Sequence, residues 1–303
     1  KNTNYIYHML SVSKCGYENQ YGEKYKNIHN KTDLETLKKN EELLTVVGGS
    51  HFGRLYNVFV STPAAIDEEG IFLSYFEGLK DLFLNNNPFD NYEKYKEVYQ
   101  TAYAAHRFVV TQQSSIDFYN YLADIKKSIL EICDVLINNY STYNDYIWKS
   151  SIQDLESKKE LLQKKLNSGI SMKWEKILDH NYPFDKFEVL LCNSISGGVQ
   201  AIDIAYNKDV FDSEMDVDTI IQYISHEIGI YILRDKLVKE DIDFNSNYDV
   251  IESVIEYYNP IKNQKLIFGK KNRLVSQYIR DIKSNSPSLS VFEIINTIVK
   301  NMD

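Results

Sequence analysis

Asp218-Thr-Ile-Ile-Gln-Tyr-Ile-Ser-His226-Glu227-Ile-Gly-Ile-Tyr-Ile-Leu233 is the stretch on which the reading of this chain turns. It reads as a helix. The acidic residues of 212–218 suit the positive end of its dipole. At its centre two chemically capable side chains, His226 and Glu227, stand next to each other, and one turn beyond His226 comes Ile230. Gly229 lowers helix stability by about 1 kcal/mol relative to Ala. It therefore marks a point of close approach, which fits the floor of a cleft.

The spacing matters because two imidazoles four residues apart lie on one face of a helix and reach one metal ion. A carboxylate beside the first can take a proton from metal-bound water, whose pKa zinc lowers to about 7. Here the second imidazole is replaced by the alkyl group of Ile230. A further ligand has to come from elsewhere, often a Glu on a following helix. The run Tyr248-Asp-Val-Ile-Glu252-Ser-Val-Ile-Glu256-Tyr-Tyr258 is helical in pattern. Ile251, Val254, Ile255 and Tyr258 make its buried stripe, and Glu252 and Glu256 lie one turn apart on its flank.

Residues 187–258 resemble the catalytic half of zincin-type metallopeptidases of the gluzincin kind, with His-Glu-Ile-Gly-Ile where the family has H-E-x-x-H. Two strand-like runs, 187–195 and 199–206, come first, joined by Ser194-Ile-Ser-Gly-Gly198. The His-Glu helix, a loop and the helix with Glu-Ser-x-x-Glu-Tyr follow. The resemblance covers roughly a quarter of the chain. It implies that His226 and Glu252 bind zinc, with Glu256 as the alternative to Glu252, and that Glu227 is the catalytic base. It also implies a peptide or protein substrate, paired in extended form along the second strand. Tyr231 is a candidate for the missing ligand. It lies roughly 140° around the helix from His226, so it needs a local π-bulge, and a phenol ionises only near pH 10. His180, His106 and His51 are the candidates from outside the helix.

Two functions of different class follow. One is a zinc-dependent hydrolase of peptide bonds. The other is a non-catalytic protein that binds a peptide or a partner protein on a zincin-like or helical scaffold, which Ile230 favours.

Composition bounds both. The chain has 303 residues, with 43% hydrophobic and 25% charged residues, ordinary values for a globular protein. A net charge of −9 argues against nucleic acid and anionic membrane surfaces. No apolar run reaches the length of a membrane-spanning helix. Cys15, Cys133 and Cys192 are odd in number and widely spaced, so neither a disulfide framework nor a Cys-based zinc site is expected, and the compartment leans cytoplasmic. The chain starts at Lys1 rather than Met, so a secreted or lipid-anchored form stays open.

Along the chain, residues 4–12 read as a strand. A helix starts at Thr32-Asp33 and runs to Gly48-Gly49, and residues 49–53 read as a turn. Residues 68–84 form an amphipathic helix with Ile71, Phe72, Tyr75, Phe76, Leu79, Leu82 and Phe83 inward. From 92 to 167 the pattern stays helical, with breaks expected near Thr111–Ser115 and at Asn138-Asn-Tyr-Ser141. Residues 273–282 and 290–299 read as two closing helices, with Leu274, Tyr278, Ile279 and Ile282 inward on the first. The fold class is α+β, mainly α: a helical N-terminal region, 1–168, and a zincin-like C-terminal part, 169–303, with a small sheet.

Overall fold

The computed structural model describes every residue except 48–50, 86, 105–108, 167–168, 197–200, 206, 241–246, 262–270 and 303. It also leaves aside the side chains of 46, 47, 51, 103, 104, 271–274 and 299–302. The chain forms two compact units. The first comprises residues 1–159 and 188–214, the second 160–187 and 215–303. The sequence had drawn one boundary near 168 and grouped the strands with the His-Glu helix. The contacts group the strands with the N-terminal helices.

The first unit begins with α1 (Asn2–Val12), α2 (Gln20–Tyr25), α3 (Lys31–Lys39) and α4 (Glu41–Leu44). A short hairpin, β1 (Val46–Val47) and β2 (His51–Phe52), follows. Next come α5 (Thr62–Ala65), α6 (Glu69–Leu84), α7 (Tyr92–Ala104), α8 (Gln112–Leu122) and α9 (Lys126–Tyr143). Helix α10 (Lys149–Lys165) crosses the boundary between the units. The unit closes with β3 (Glu188–Cys192), β4 (Ala201–Ala205) and β5 (Lys208–Asp212). The second unit holds α11 (Ile170–Leu178), α12 (Val217–Lys239), α13 (Tyr248–Tyr258), α14 (Lys271–Asn285) and α15 (Val291–Met302). The protein is α+β and mainly α, as expected. No described helix is long and apolar enough to cross a membrane.

The strand expected over 4–12 is instead α1, and the reason is burial. All eleven of its residues are buried, so no polar face marks the helical period. Several of its polar side chains bond to neighbours distant in sequence. Thr3 Oγ1 donates to the Ala64 carbonyl at 2.7 Å, Asn4 Nδ2 to the Leu191 carbonyl at 2.8 Å, and Tyr5 OH to the Leu136 carbonyl at 2.5 Å.

Two further differences have local causes. The helix expected from Thr32 to the glycines is broken at Asn40 into α3 and α4, and Gly48-Gly49 lie outside the described residues. Gly53, at the end of the hairpin, packs so closely on the Glu42 and Leu43 carbonyls that a Cβ would stand 2.4 Å from each oxygen. The turn expected at Asn138–Ser141 lies inside α9, where the Asn139 amide is used by His29, by Asp33 and by the Val135 carbonyl one turn back in the same helix. The described breaks flanking α9 are a 3-10 turn at Ala123–Ile125 and a π turn at Asn144–Trp148. Thr111 does mark a helix start, but α8 begins at Gln112 through a capping box with Ser114.

The amphipathic helices follow their patterns. Helix α6 buries Phe72, Tyr75, Phe76, Leu79, Leu82 and Phe83, whereas Ile71 lies on its exposed side. In α14, Ile279 is buried and Tyr278, expected inward, is exposed. Leu274 lies among the side chains left aside.

The three-stranded sheet has the order β3-β5-β4, with β5 parallel to β3 and antiparallel to β4. Its central strand escaped the sequence pattern. Lys-Asp-Val-Phe-Asp is buried along its whole length. Lys208 is neutralised by Asp67 at 2.9 Å and Glu188 at 3.0 Å. Burial works against that ammonium, but these two carboxylates outweigh it and raise its pKa.

Candidate functional site

The His-Glu stretch forms α12 in the second unit. Asp216 caps it, its side chain accepting from the Thr219 N–H at 2.9 Å. Ser225, next to His226, fixes the helix against its neighbours. Trp174 Nε1 of α11 donates to the Ser225 carbonyl at 2.6 Å. Ser225 Oγ donates to Asn259 Oδ1 at 2.7 Å, just past the end of α13. The Asn259 amide donates in turn to the Gln222 carbonyl at 3.1 Å. Gly229 belongs to the same packing. A Cβ there would stand 2.7 Å from Trp174 Cζ2 and 3.1 Å from Ile255 Cγ2. The close approach inferred from this glycine is therefore made by the Trp174 ring and α13, and not by a cleft.

Packing of α12 on α13 brings His226 and Glu252 together. His226 Nε2 lies 2.8 Å from Glu252 Oε2, with the two side chains 0% and 13% exposed. Against an ionised carboxylate the imidazole is the donor, so Nε2 carries the proton. Burial of His226 favours its neutral form. The hydrogen bond to Glu252 and the charges of Glu252, Glu227 and Glu256 outweigh burial and raise its pKa. Glu256 is buried and Glu227 half-buried. Two tyrosines border the same carboxylates. Tyr223 is pushed up to about 12 by burial and by the charges of Glu256 and Glu227. Tyr248 is raised by burial and by the charge of Glu252, to which it also hydrogen bonds. Sequence reading missed both tyrosines, although each lies one turn before a glutamate it already named, at i to i+4.

The donors for zinc are incomplete. His226 and Glu252 converge from two helices, as two ligands would. In a tetrahedral site with bonds near 2.0–2.1 Å they would stand roughly 3.3 Å apart, so opening the pair by about half an ångström makes room for the ion. Ile230, where a second imidazole is needed, is buried and offers no donor. Tyr231 stays within a regular helix, its ring 6.0 Å from those of both Phe184 and Phe187. His180 is engaged by Asp235 at 2.8 Å. His106 and the side chain of His51 lie outside the described residues. Among the described residues, no three His, Cys, Asp or Glu side chains stand together so as to hold a metal ion. Among the described residues, His226 and Glu252 are placed as two zinc ligands would be, and a complete centre is not present.

Comparison with known proteins adds no relative: no family model, no curated protein and no solved structure matches this chain.

Proposed function

We propose that the chain is a metallopeptidase-like protein of the zincin type whose zinc site lacks one ligand, and that it engages a peptide or protein without cleaving it. The observation that carries this reading is the 2.8 Å contact between His226 and Glu252. These are the two positions from which the resemblance draws ligands, and they lie on separate helices 26 residues apart. Ile230 supports the non-cleaving form, because a buried alkyl group suits a packed helix rather than a hydrated metal centre. The partner class comes from the resemblance, since zincin clefts take extended peptides.

The reading is tested by incubating the purified chain with a mixed peptide library, with zinc and then with a chelator. Peptide retention that survives chelation, without new cleavage products, is the expected result. Zinc-dependent cleavage that disappears in Glu227→Gln would replace this reading with that of a working peptidase. Absence of both retention and cleavage would remove the peptide partner.

A further inference from the structure

The first unit contains a second buried histidine cluster. Five side chains form one unbroken hydrogen-bonded line: Tyr21 of α2, His8 of α1, His29 after the 3-10 turn Lys26–Ile28, Asn139 of α9 and Asp33 of α3. The direction of every bond follows from its far end. Asn139 Nδ2 faces two pure acceptors, Asp33 Oδ2 at 2.7 Å and the Val135 carbonyl at 2.8 Å, so it is the amide nitrogen and Oδ1 is the acceptor. His29 Nδ1, 2.9 Å from that oxygen, therefore carries a proton. In a neutral imidazole the other nitrogen accepts. His29 Nε2 thus accepts from His8 Nε2–H at 2.7 Å, and His8 Nδ1 accepts from the Tyr21 hydroxyl at 2.9 Å.

This line is full. One more proton is held only by reversing it toward Tyr21 and leaving an imidazolium in the core. A second proton sets two N–H groups face to face at 2.7 Å with no acceptor between them. The surroundings offer little help. Among the described residues, Tyr21 and Tyr25 of α2 and Tyr143 of α9 flank the pair, and Cys192 of β3 acts on Tyr21. Asp33, hydrogen-bonded to Asn139, is a carboxylate whose charge raises the pKa of His29, but burial outweighs it and the net shift is downward. Burial raises the pKa of Tyr21 and Tyr143 and pushes Cys192 up to about 11, so none of these three supplies a negative charge near neutrality. The segment holding His29 has its own exit, since Asn27, Ile28 and Asn30 are exposed.

We propose that the His8–His29 pair is an acid-operated latch, which ties residues 20–30 to α1 and α9 at neutral pH and releases them when the pair takes up protons. The test is hydrogen exchange on the full chain at pH 7.5 and 5.0, corrected for intrinsic rates. Peptides covering 20–30 should lose protection by about tenfold or more at pH 5.0, a factor matching one pKa unit. In His29→Gln, whose amide can both accept from His8 and donate to Asn139 without titrating, that change should vanish. Equal protection at the two pH values would overturn the latch. Should His29→Gln fail to fold, nitrogen NMR of the unaltered chain decides. At pH 7.5 it should find the proton of His8 on Nε2 and that of His29 on Nδ1. A doubly protonated ring, or the opposite tautomers, would refute the proposal.

Discussion

Each unit buries a histidine that shares a short hydrogen bond with a second side chain, yet the two sites titrate in opposite directions. His8 meets another imidazole at 2.7 Å, and burial together with His29 depresses its pKa. His226 meets a carboxylate at 2.8 Å, and Glu252 raises its pKa although burial opposes the charge. Burial is common to both, so it does not decide the outcome. The partner decides it: an imidazole offers a lone pair and no charge, whereas a carboxylate supplies the negative charge that keeps a proton in place.

The largest expected effect comes from removing that charge. Glu252→Ala leaves His226 buried without its counter-ion, and urea unfolding should show a loss of about 3–5 kcal/mol. His29→Ala strands neutral donors and acceptors only, for about 1–3 kcal/mol. Equal losses would abolish the distinction between the sites. The packing around the second site can be probed separately. Gly229→Ala drives a methyl group into Trp174 and should destabilise by about 1–3 kcal/mol. Unchanged stability would mean that α11 and α12 do not approach as described.

The pH dependence sharpens the contrast. The folded pKa of His8 and His29 is depressed. Their contribution to stability is therefore present above the unfolded value of about 6.5 and is lost as pH falls through the folded values. For His226 the folded pKa is raised, so its contribution is complete below about 6.5 and is lost as pH rises through the folded value. In chelated protein, acidification should loosen 20–30 while α12 and α13 keep their protection from exchange. Loosening of both regions together would show that the partners do not control the two protons. The smallest expected effect is a control. Gly70, in the first turn of α6, has open space around it, and Gly70→Ala should stabilise by about 0.5–1 kcal/mol, opposite in sign to Gly229→Ala.

Where side chains obey a local period, the sequence was readable. Helix α6 shows its apolar face, and α15 buries Val291, Ile294, Ile295 and Ile298 at helical spacing behind a Ser290–Glu293 cap. The convergence of Glu252 on His226 was legible too, because a His-Glu helix followed by a Glu-bearing helix carries that expectation. What stayed hidden depends on partners far along the chain. Helix α1 has no polar face to reveal its period. Strand β5 looks like a surface segment until Asp67 and Glu188 are seen to neutralise Lys208. Asn139 reads as a turn former until His29 and Asp33 occupy its amide. The His8–His29 line joins residues 21 positions apart with no motif between them, so only the packing of α1 on its neighbours exposes it.

Zinc content of the Ile230→His variant is the most direct probe of whether His226 and Glu252 are the remaining ligands of an incomplete zinc site. After incubation with zinc and exhaustive dialysis, elemental analysis should find about one ion per chain in Ile230→His. The unaltered protein and the double variant Ile230→His/Glu252→Gln should hold far less. A folded Ile230→His variant that takes up no zinc, or one whose zinc survives the loss of Glu252, would contradict that assignment.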